Sequence, residues 1–275
     1  MRVSEILRKH GLHLKKRLGQ HFLVSDDVLA RIADAASLTI EDTVVEVGPG
    51  VGTLTRHLAS RAGRVVAIEM DESMLPALKE VLGESKNVEV IPGDVLDFTA
   101  RRILGDEAGS RYKVVANLPY YITSAVIRHF LEDEFPPESM VLTVQWEVAK
   151  RIAAHPPDMS LLSVSVQVYG RPKLLFRIPP GAFVPPPKVD SGVVLIERFE
   201  GPIMPREESV WFFRVVKAGF SQRRKQLHNS LSGGLRLPPD RVKSALRESG
   251  VAPSRRPGTL SVEEWLRVSR ALRSL

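Results

Sequence analysis

Four short β-branched runs, each ended by a different turn and separated by helical stretches, constrain this chain most. Val44 to Val47 runs into Gly48-Pro49-Gly50-Val51-Gly52, and Val65 to Ile68 ends at Glu69. Val88 to Ile91 leads to Pro92-Gly93-Asp94, and Val114 to Ala116 ends in Asn117-Leu118-Pro119-Tyr120. Leu54, Leu58 and Ala59 share a helical face after the first run, and Glu72 to Leu82 reads as a helix that tolerates Pro76 only near its first turn. This alternation predicts an α/β fold, a mostly parallel sheet with helices on both faces. Met140 to Gln145, Ser163 to Tyr169 and Val193 to Glu197 read as later strands.

The character changes after about residue 178. Five prolines fall between Pro179 and Pro187, and from Ser209 onward the spacing is helical. Val210 to Leu231 reads as one long helix and Pro239 to Ser249 as a second. A third opens on a capping pair, Ser261 and Glu264, and carries Trp265, Leu266 and Leu272. The expected division is an α/β domain over residues 1–200, with a basic tail over 1–17, and a small all-helical domain over 201–275.

Charge follows that division. The net charge is +7, yet residues 1–17 hold six basic side chains against one acidic, and residues 201–275 hold fifteen against six. An acidic body thus lies between two basic ends. Basic ends suit a polyanion partner, although clustered Arg can also merely solvate a helical face. With 43% apolar and 26% charged residues, the composition is that of a globular chain. No apolar run approaches the ~18 residues that span a bilayer, and the first twenty residues are too charged for a signal peptide. Zero Cys excludes a disulfide framework, a thiolate metal site and a cysteine nucleophile. A cytoplasmic monomer is expected.

The strand ends carry the chemistry. Glycines between the first strand and its helix allow a sharp turn and close approach of a ligand, though any tight turn could use them. Their spacing is G-x-G-x-G, which is neither the dinucleotide fingerprint nor a phosphate loop. Glu69 stands where a carboxylate can accept from both ribose hydroxyls, and Asp94 where one can accept from an adenine amino group. Either alone could be a solvated acid; the three successive strand ends together read as an S-adenosylmethionine pocket. Asn117-Leu118-Pro119-Tyr120 then offers a side-chain oxygen, a main-chain carbonyl, a rigid φ and a stacking face. That set can hold an aromatic amine, localise its lone pair and stabilise the charge that develops on nitrogen. No metal-ligand spacing is present, and His57, His129, His155 and His228 read as structural; His10 and His13 fall in the tail, as disordered or RNA-contacting residues.

Five motifs occur in order: Gly19-Gln20-His21-Phe22-Leu23, Glu46-Val47-Gly48-Pro49-Gly50, Asn117 to Ile122, Phe183 to Ser191, and Phe220-Ser221-Gln222-Arg223-Arg224-Lys225. The chain resembles the ribosomal RNA adenine dimethyltransferase family, and within it the bacterial small-subunit branch, over nearly its whole length. The resemblance implies a Rossmann-like class I S-adenosylmethionine-dependent methyltransferase domain with a C-terminal helical domain. It implies dimethylation at N6 of two adjacent adenosines near the 3′ end of 16S ribosomal RNA in the assembling 30S subunit. It places His21, Leu23, Gly48, Gly50, Glu69, Met70, Asp94, Val95 and Asn117 beside the cofactor. It makes Asn117, Leu118, Pro119 and Tyr120 catalytic, with Phe183 stacking on the other face of the target base or, alternatively, plugging the core under the proline turn. Arg223, Arg224 and Lys225 would meet RNA from the middle of a long helix. Competing readings are a large-subunit adenine methylase of the macrolide-resistance type, a silent RNA-binding factor on the same fold and, least favoured by the glycine spacing, a nicotinamide dehydrogenase.

Overall fold

A computed structural model describes residues 3–15, 19–83, 85–105 and 111–273. Among these, seven strands form one sheet in the order β4-β3-β2-β5-β6-β9-β7. The strands are β2 (Thr43–Val47), β3 (Arg64–Glu69), β4 (Val88–Pro92), β5 (Tyr112–Asn117), β6 (Ser139–Gln145), β7 (Gly170–Ile178) and β9 (Ser191–Arg198). The first five pair in parallel, and β9 runs antiparallel to β6. Val44, Val45, Val65, Val66, Val114 and Val115 are all fully buried, because a central parallel strand is covered on both faces and shows no polar alternation. Helices α2 (Asp26–Ala35), α3 (Thr53–Ala59), α4 (Leu75–Leu82), α5 (Ala100–Leu104) and α6 (Thr123–Leu131) accompany the sheet, and α7 (Trp146–Ile152) follows β6.

The chain leads from β2 outward through β3 and β4, then returns to place β5 on the other side of β2. Strand order reverses there, and in open α/β sheets the crevice outside the carboxyl ends at such a point is where ligands bind. The glycine turn after β2, Glu69 closing β3, Asp94 after β4 and Asn117 closing β5 all come to that edge.

Two features at the amino end were not expected. Val3–Lys9 is a helix, α1, and not part of a loose tail: Val3, Ile6 and Leu7 pack with Phe22, Val51, Met74 and Ala77. His10 and Lys9 meet Glu80 at 2.9 and 2.7 Å, which anchors the end of α1. Arg2, Lys16 and Arg17 of the expected tail lie outside the described residues. Further on, β1 (Phe22–Leu23) pairs antiparallel with β8 (Phe183–Val184), joining the first motif to the proline segment.

By its contacts the chain divides into the stretch ending at Ala149 with Pro172–Arg198, and Lys150–Arg171 with Phe199 onward. A single boundary near residue 200 therefore misses an inserted piece. Ser163 to Tyr169, expected as a strand, is mostly helix α8 (Leu161–Gln167), opened by a capping box between Ser160 and Ser163. Its alternating Ser and Val imitate a strand period, but Ser163 Oγ donates to the Arg151 carbonyl at 2.6 Å, so the small polar face is buried too. Met159, Val164 and Val168 join the core of the helical unit.

That unit also holds α9 (Ser209–Phe220), α10 (Leu227–Leu235), α11 (Pro239–Glu248) and α12 (Val262–Arg273). The expected long helix from Val210 to Leu231 is thus two. Leu227 and His228 N–H donate to the carbonyls of Arg255 and Pro253 instead of continuing a helical ladder, and Gln226 is extended. The capping pair before α12 forms as expected, Ser261 N–H to Glu264 and Glu264 N–H to Ser261 Oγ. Trp265 of α12 is fully buried against Phe220 and Gly219. At Gly234 of α10 an added Cβ would stand 2.6 Å from the Ala218 Cβ and 2.9 Å from its Cα. Gly234→Val is expected to destabilise the chain by about 1–3 kcal/mol through overpacking. An unchanged thermal melt would contradict this helix contact.

Candidate active site

The carboxyl edge of the sheet opens into a cleft with about 800 Å³ of empty space, its solvent-open mouth included. His21, Gly48, Gly50, Glu69, Met70, Asp94, Val95, Asn117, Leu118, Pro119 and Tyr120 all line it, together with Gly19, Gln20, Phe22, Tyr121 and others. The sequence set is therefore brought together, with two exceptions. Leu23 and Phe183 are absent from the lining: they are 1% and 2% exposed and sit in the core with Leu29, Ile32 and Val193. They are register partners across the β1–β8 pair, so their side chains share one face. Neighbouring residues on a strand point to opposite faces, which leaves Phe22 toward the glycine turn and the cleft. The structure thus holds Phe183 as the core plug under the proline turn and not as a ring in the cleft.

The glycine turn is shaped for close approach. Gly48 has φ +69°, and an added Cβ there would meet nothing within 4 Å on the cleft side. Gly50 has φ +58°, and a Cβ would strike the Phe22 ring at 2.4 Å. Glu69 secures the turn from the next strand: Oε2 accepts from Gly50 N–H at 2.8 Å and Oε1 from Asp71 N–H at 2.7 Å. Each carboxylate oxygen has a second lone pair, so Glu69 keeps acceptor capacity toward the cleft. Burial raises its pKa, and the two amide bonds offset this only in part. Asp94 spends Oδ1 on Leu96 N–H at 3.0 Å. An open glycine cradle flanked by two carboxylates fits a nucleoside that presents hydroxyl and amino donors.

Lys15 and Gln20, to which the sequence reading gave no individual role, both meet Asp71 just past β3. Gln20 Nε2 donates to Asp71 Oδ2 at 2.9 Å, Lys15 Nζ bonds Asp71 Oδ1 at 2.6 Å, and Lys15 N–H donates to Gln20 Oε1. Asp71 is buried, yet its pKa is lowered, because the bonds from Lys15, Ser73 and Gln20 outweigh the burial that would raise it. No spacing rule marks Asp71; an acid two residues past the strand end was the only signal.

The turn after β5 carries the site's sharpest feature. Asn117 Nδ2 donates to the His21 main-chain carbonyl at 3.0 Å. A carbonyl only accepts, so this bond assigns the amide orientation and leaves Asn117 Oδ1 as the free acceptor. Leu118 N–H is held by the Thr143 carbonyl at 3.1 Å. The Tyr120 hydroxyl meets Ser191 Oγ at 2.7 Å, and burial raises its pKa despite that partner. Tyr121, 57% exposed, stands beside Gly19 at the mouth.

Glu46 of β2, two residues before Gly48, is 1% exposed. Burial pushes its carboxyl up to about 8, and the negative charge of Glu69 adds to the shift. Neither Glu46 Oε2 nor the Thr55 hydroxyl has a hydrogen-bond partner among the described residues.

In the helical unit, Arg223, Arg224 and Lys225 are exposed and occupy the turn between α9 and α10. They are therefore offered from a turn and not from mid-helix. Among the described residues no group of three His, Cys, Asp or Glu could hold a metal, and no helix is long and apolar enough to cross a membrane.

Fold and site together define a member of the ribosomal RNA adenine dimethylases: that family's profile matches residues 11–274, and the chain belongs to it. In particular, the chain is 48% identical to ribosomal RNA small subunit methyltransferase A of Dehalococcoides mccartyi, over 96% of this chain and 90% of that one. Among solved structures, the 23S rRNA methyltransferase ErmE aligns with a TM-score of 0.72 and 30% identity, over 92% of this chain and 99% of that one. A dimethyladenosine transferase from Plasmodium falciparum shares the fold with a TM-score of 0.76 at 24% identity, over 90% and 96%.

The raised pKa of Glu46 has a stability consequence. A carboxyl whose folded pKa exceeds its unfolded value contributes fully below the unfolded value, near 4.5, and the contribution is lost as pH rises toward about 8. The melting temperature of Glu46→Gln is expected to gain on the wild type between pH 5 and 8. A constant difference across that window would show that Glu46 folds ionised.

Proposed function

We propose that this chain is an S-adenosylmethionine-dependent ribosomal RNA adenine N6-dimethyltransferase. It acts on two adjacent adenosines near the 3′ end of 16S ribosomal RNA, in the assembling small subunit, as a cytoplasmic monomer. The observation that carries the reading is the tether of Asn117: its amide nitrogen donates to the His21 carbonyl, which leaves its oxygen as the acceptor of a residue that lines the cleft with Leu118 and Tyr120.

Bound S-adenosylmethionine supplies an electrophilic methyl on a sulfonium. Glu69 takes the ribose hydroxyls, Asp94 the adenine amino group, and Gly48, Gly50, Met70, Val95 and the His21 main chain wall the remainder. Asn117 Oδ1 and the Leu118 carbonyl accept from the two N6 hydrogens of the target adenine. Those bonds draw the nitrogen lone pair out of the ring and oppose the positive charge that builds on it. Pro119 fixes the turn and Tyr120 stacks on the base, which must leave its own stack to reach the cleft. Arg223, Arg224 and Lys225 contact RNA phosphates, which position the substrate without reading its sequence. The higher identity to the small-subunit methyltransferase, 48% against 30% for the large-subunit enzyme, favours the small-subunit substrate.

Labelled methyl transfer to purified unmethylated small subunits, followed by nucleoside analysis, tests the reading. Dimethyladenosine is the expected product, and label appearing only on large-subunit RNA would overturn it. Asn117→Ala should lose roughly a hundredfold or more in rate with the fold retained; a well-folded, fully active variant refutes the mechanism. If about five phosphates are neutralised, log affinity for RNA should fall with log salt at a slope of about −3.5 to −4.5. Replacing Arg223, Arg224 and Lys225 by Ala should flatten that slope by about 2 to 3, and an unchanged slope would move the RNA contact elsewhere.

A further inference from the structure

We infer that Asp71 is a positioning residue for methyl transfer: it holds Gln20 so that the next carbonyl along the chain, that of His21, aims the Asn117 amide. This rests on the adenine-methylating reading above. Asp71 is 3% exposed and is not among the residues that line the cleft, so it acts through others. Its Oδ1 serves the turn it opens, accepting from Ser73 N–H at 3.2 Å and Ser73 Oγ at 2.6 Å, and also takes Lys15 Nζ at 2.6 Å. Its Oδ2 takes Gln20 Nε2 at 2.9 Å. Capping the Glu72–Met74 turn needs Oδ1 alone. Oδ2 answers to a residue 51 positions away.

The chain of bonds runs one way. Lys15 N–H donates to Gln20 Oε1 at 2.8 Å, so the Gln20 amide must turn its nitrogen to Asp71. A carboxylate only accepts, and it therefore completes the amide without leaving a donor unmatched. The residue after Gln20 is His21, whose carbonyl accepts from Asn117 Nδ2 at 3.0 Å. On the other side that carbonyl is followed by β1, which is two residues long and pairs with Phe183 and Val184. So short a strand fixes one flank of the peptide, and Gln20 on Asp71 fixes the other. The main chain of Asp71 meanwhile donates to Glu69 Oε1 at 2.7 Å. A substituted side chain at position 71 would keep that bond, which separates the role of the carboxylate from the support of the cofactor acid.

The test exchanges the carboxylate and the amide. Asp71→Asn sets an amide nitrogen against Gln20 Nε2, and turning either amide only moves the clash of donors to Lys15 or Ser73. Gln20→Glu sets two carboxylates face to face and leaves the Ser73 cap in place. Asp71→Asn combined with Gln20→Glu restores one donor and one acceptor at each contact, with the net charge unchanged. Wild type and the three variants are compared for kcat and KM with labelled S-adenosylmethionine on unmethylated small subunits, and for melting temperature. Each single substitution should lower kcat roughly tenfold to a hundredfold at saturating cofactor and subunit, and the double variant should recover most of the loss. Wild-type kcat in the single variants overturns the proposal. So does a loss confined to the KM for cofactor, which would make Asp71 a device for cofactor capture alone, and so does a double variant as slow as the singles. Should Asp71→Asn fail to fold, Gln20→Glu against wild type decides by the same kcat criterion. A wild-type chain that makes no methylated adenosine defeats the underlying reading, and this inference with it, whereas an active wild type beside unaffected variants defeats this inference alone.

Discussion

The bond between the Asn117 amide and the His21 carbonyl, 3.0 Å long, is the constraint on which the cleft depends. It crosses 96 residues of sequence and joins the residue just before a two-residue strand to the last residue of a central one. Without it an amide at a strand end is symmetric toward solvent, able to present nitrogen or oxygen with similar ease. With it one N–H is used and the nitrogen end is held at the His21 carbonyl, which leaves Oδ1 as the acceptor end. The strap that supplies the carbonyl is itself held: Gln20 and Lys15 converge on Asp71, and Phe22 lies on Gly50. Orientation of one side chain is thus a property of the whole amino-terminal segment.

Electrostatics at the sheet edge follow a related logic. Glu69 and Asp71 lie two residues apart, both are buried, and they shift in opposite directions. Asp71 receives a lysine and two side-chain donors, so its charge is stabilised. Glu69 has only backbone amides and feels Asp71 nearby, so its charge is costly. The costly carboxylate is the one that lines the cleft. A ligand bringing hydroxyl donors would relieve that cost, which turns part of the burial penalty into a preference for such a ligand.

Much of the parallel sheet and its edge was legible because both rest on local signals. Valine runs buried on both faces need no long-range information, and each polar turn falls at the end of its own run. The proline-segment contact of Phe183 was not legible in the same way. Its direction is set by register with Leu23, and nothing near Phe183 in sequence reveals that partner. The Ser-Val alternation of α8 misled because a helix buried all round can carry small polar residues at any period. The break after Phe220 was hidden because the competing partners of Leu227 and His228 are carbonyls more than twenty residues away. Asp71 was missed since its role appears only once Lys15 and Gln20 fold back over it.

The insertion of Lys150–Arg171 into the helical unit makes the two units inseparable by a single cut. The chain passes between them three times, and the core of the helical unit is completed by Met159, Val164 and Val168 from the inserted Lys150–Arg171 piece. A fragment ending near residue 200 would keep those three side chains and lose Phe212, Leu231, Leu246 and Trp265, which share their cluster. The severed surface would be greasy on both products. Nascent chain leaving the ribosome passes through that same state, with α8 made but its partners not yet synthesised, so the unit most exposed to misassociation is the one completed last.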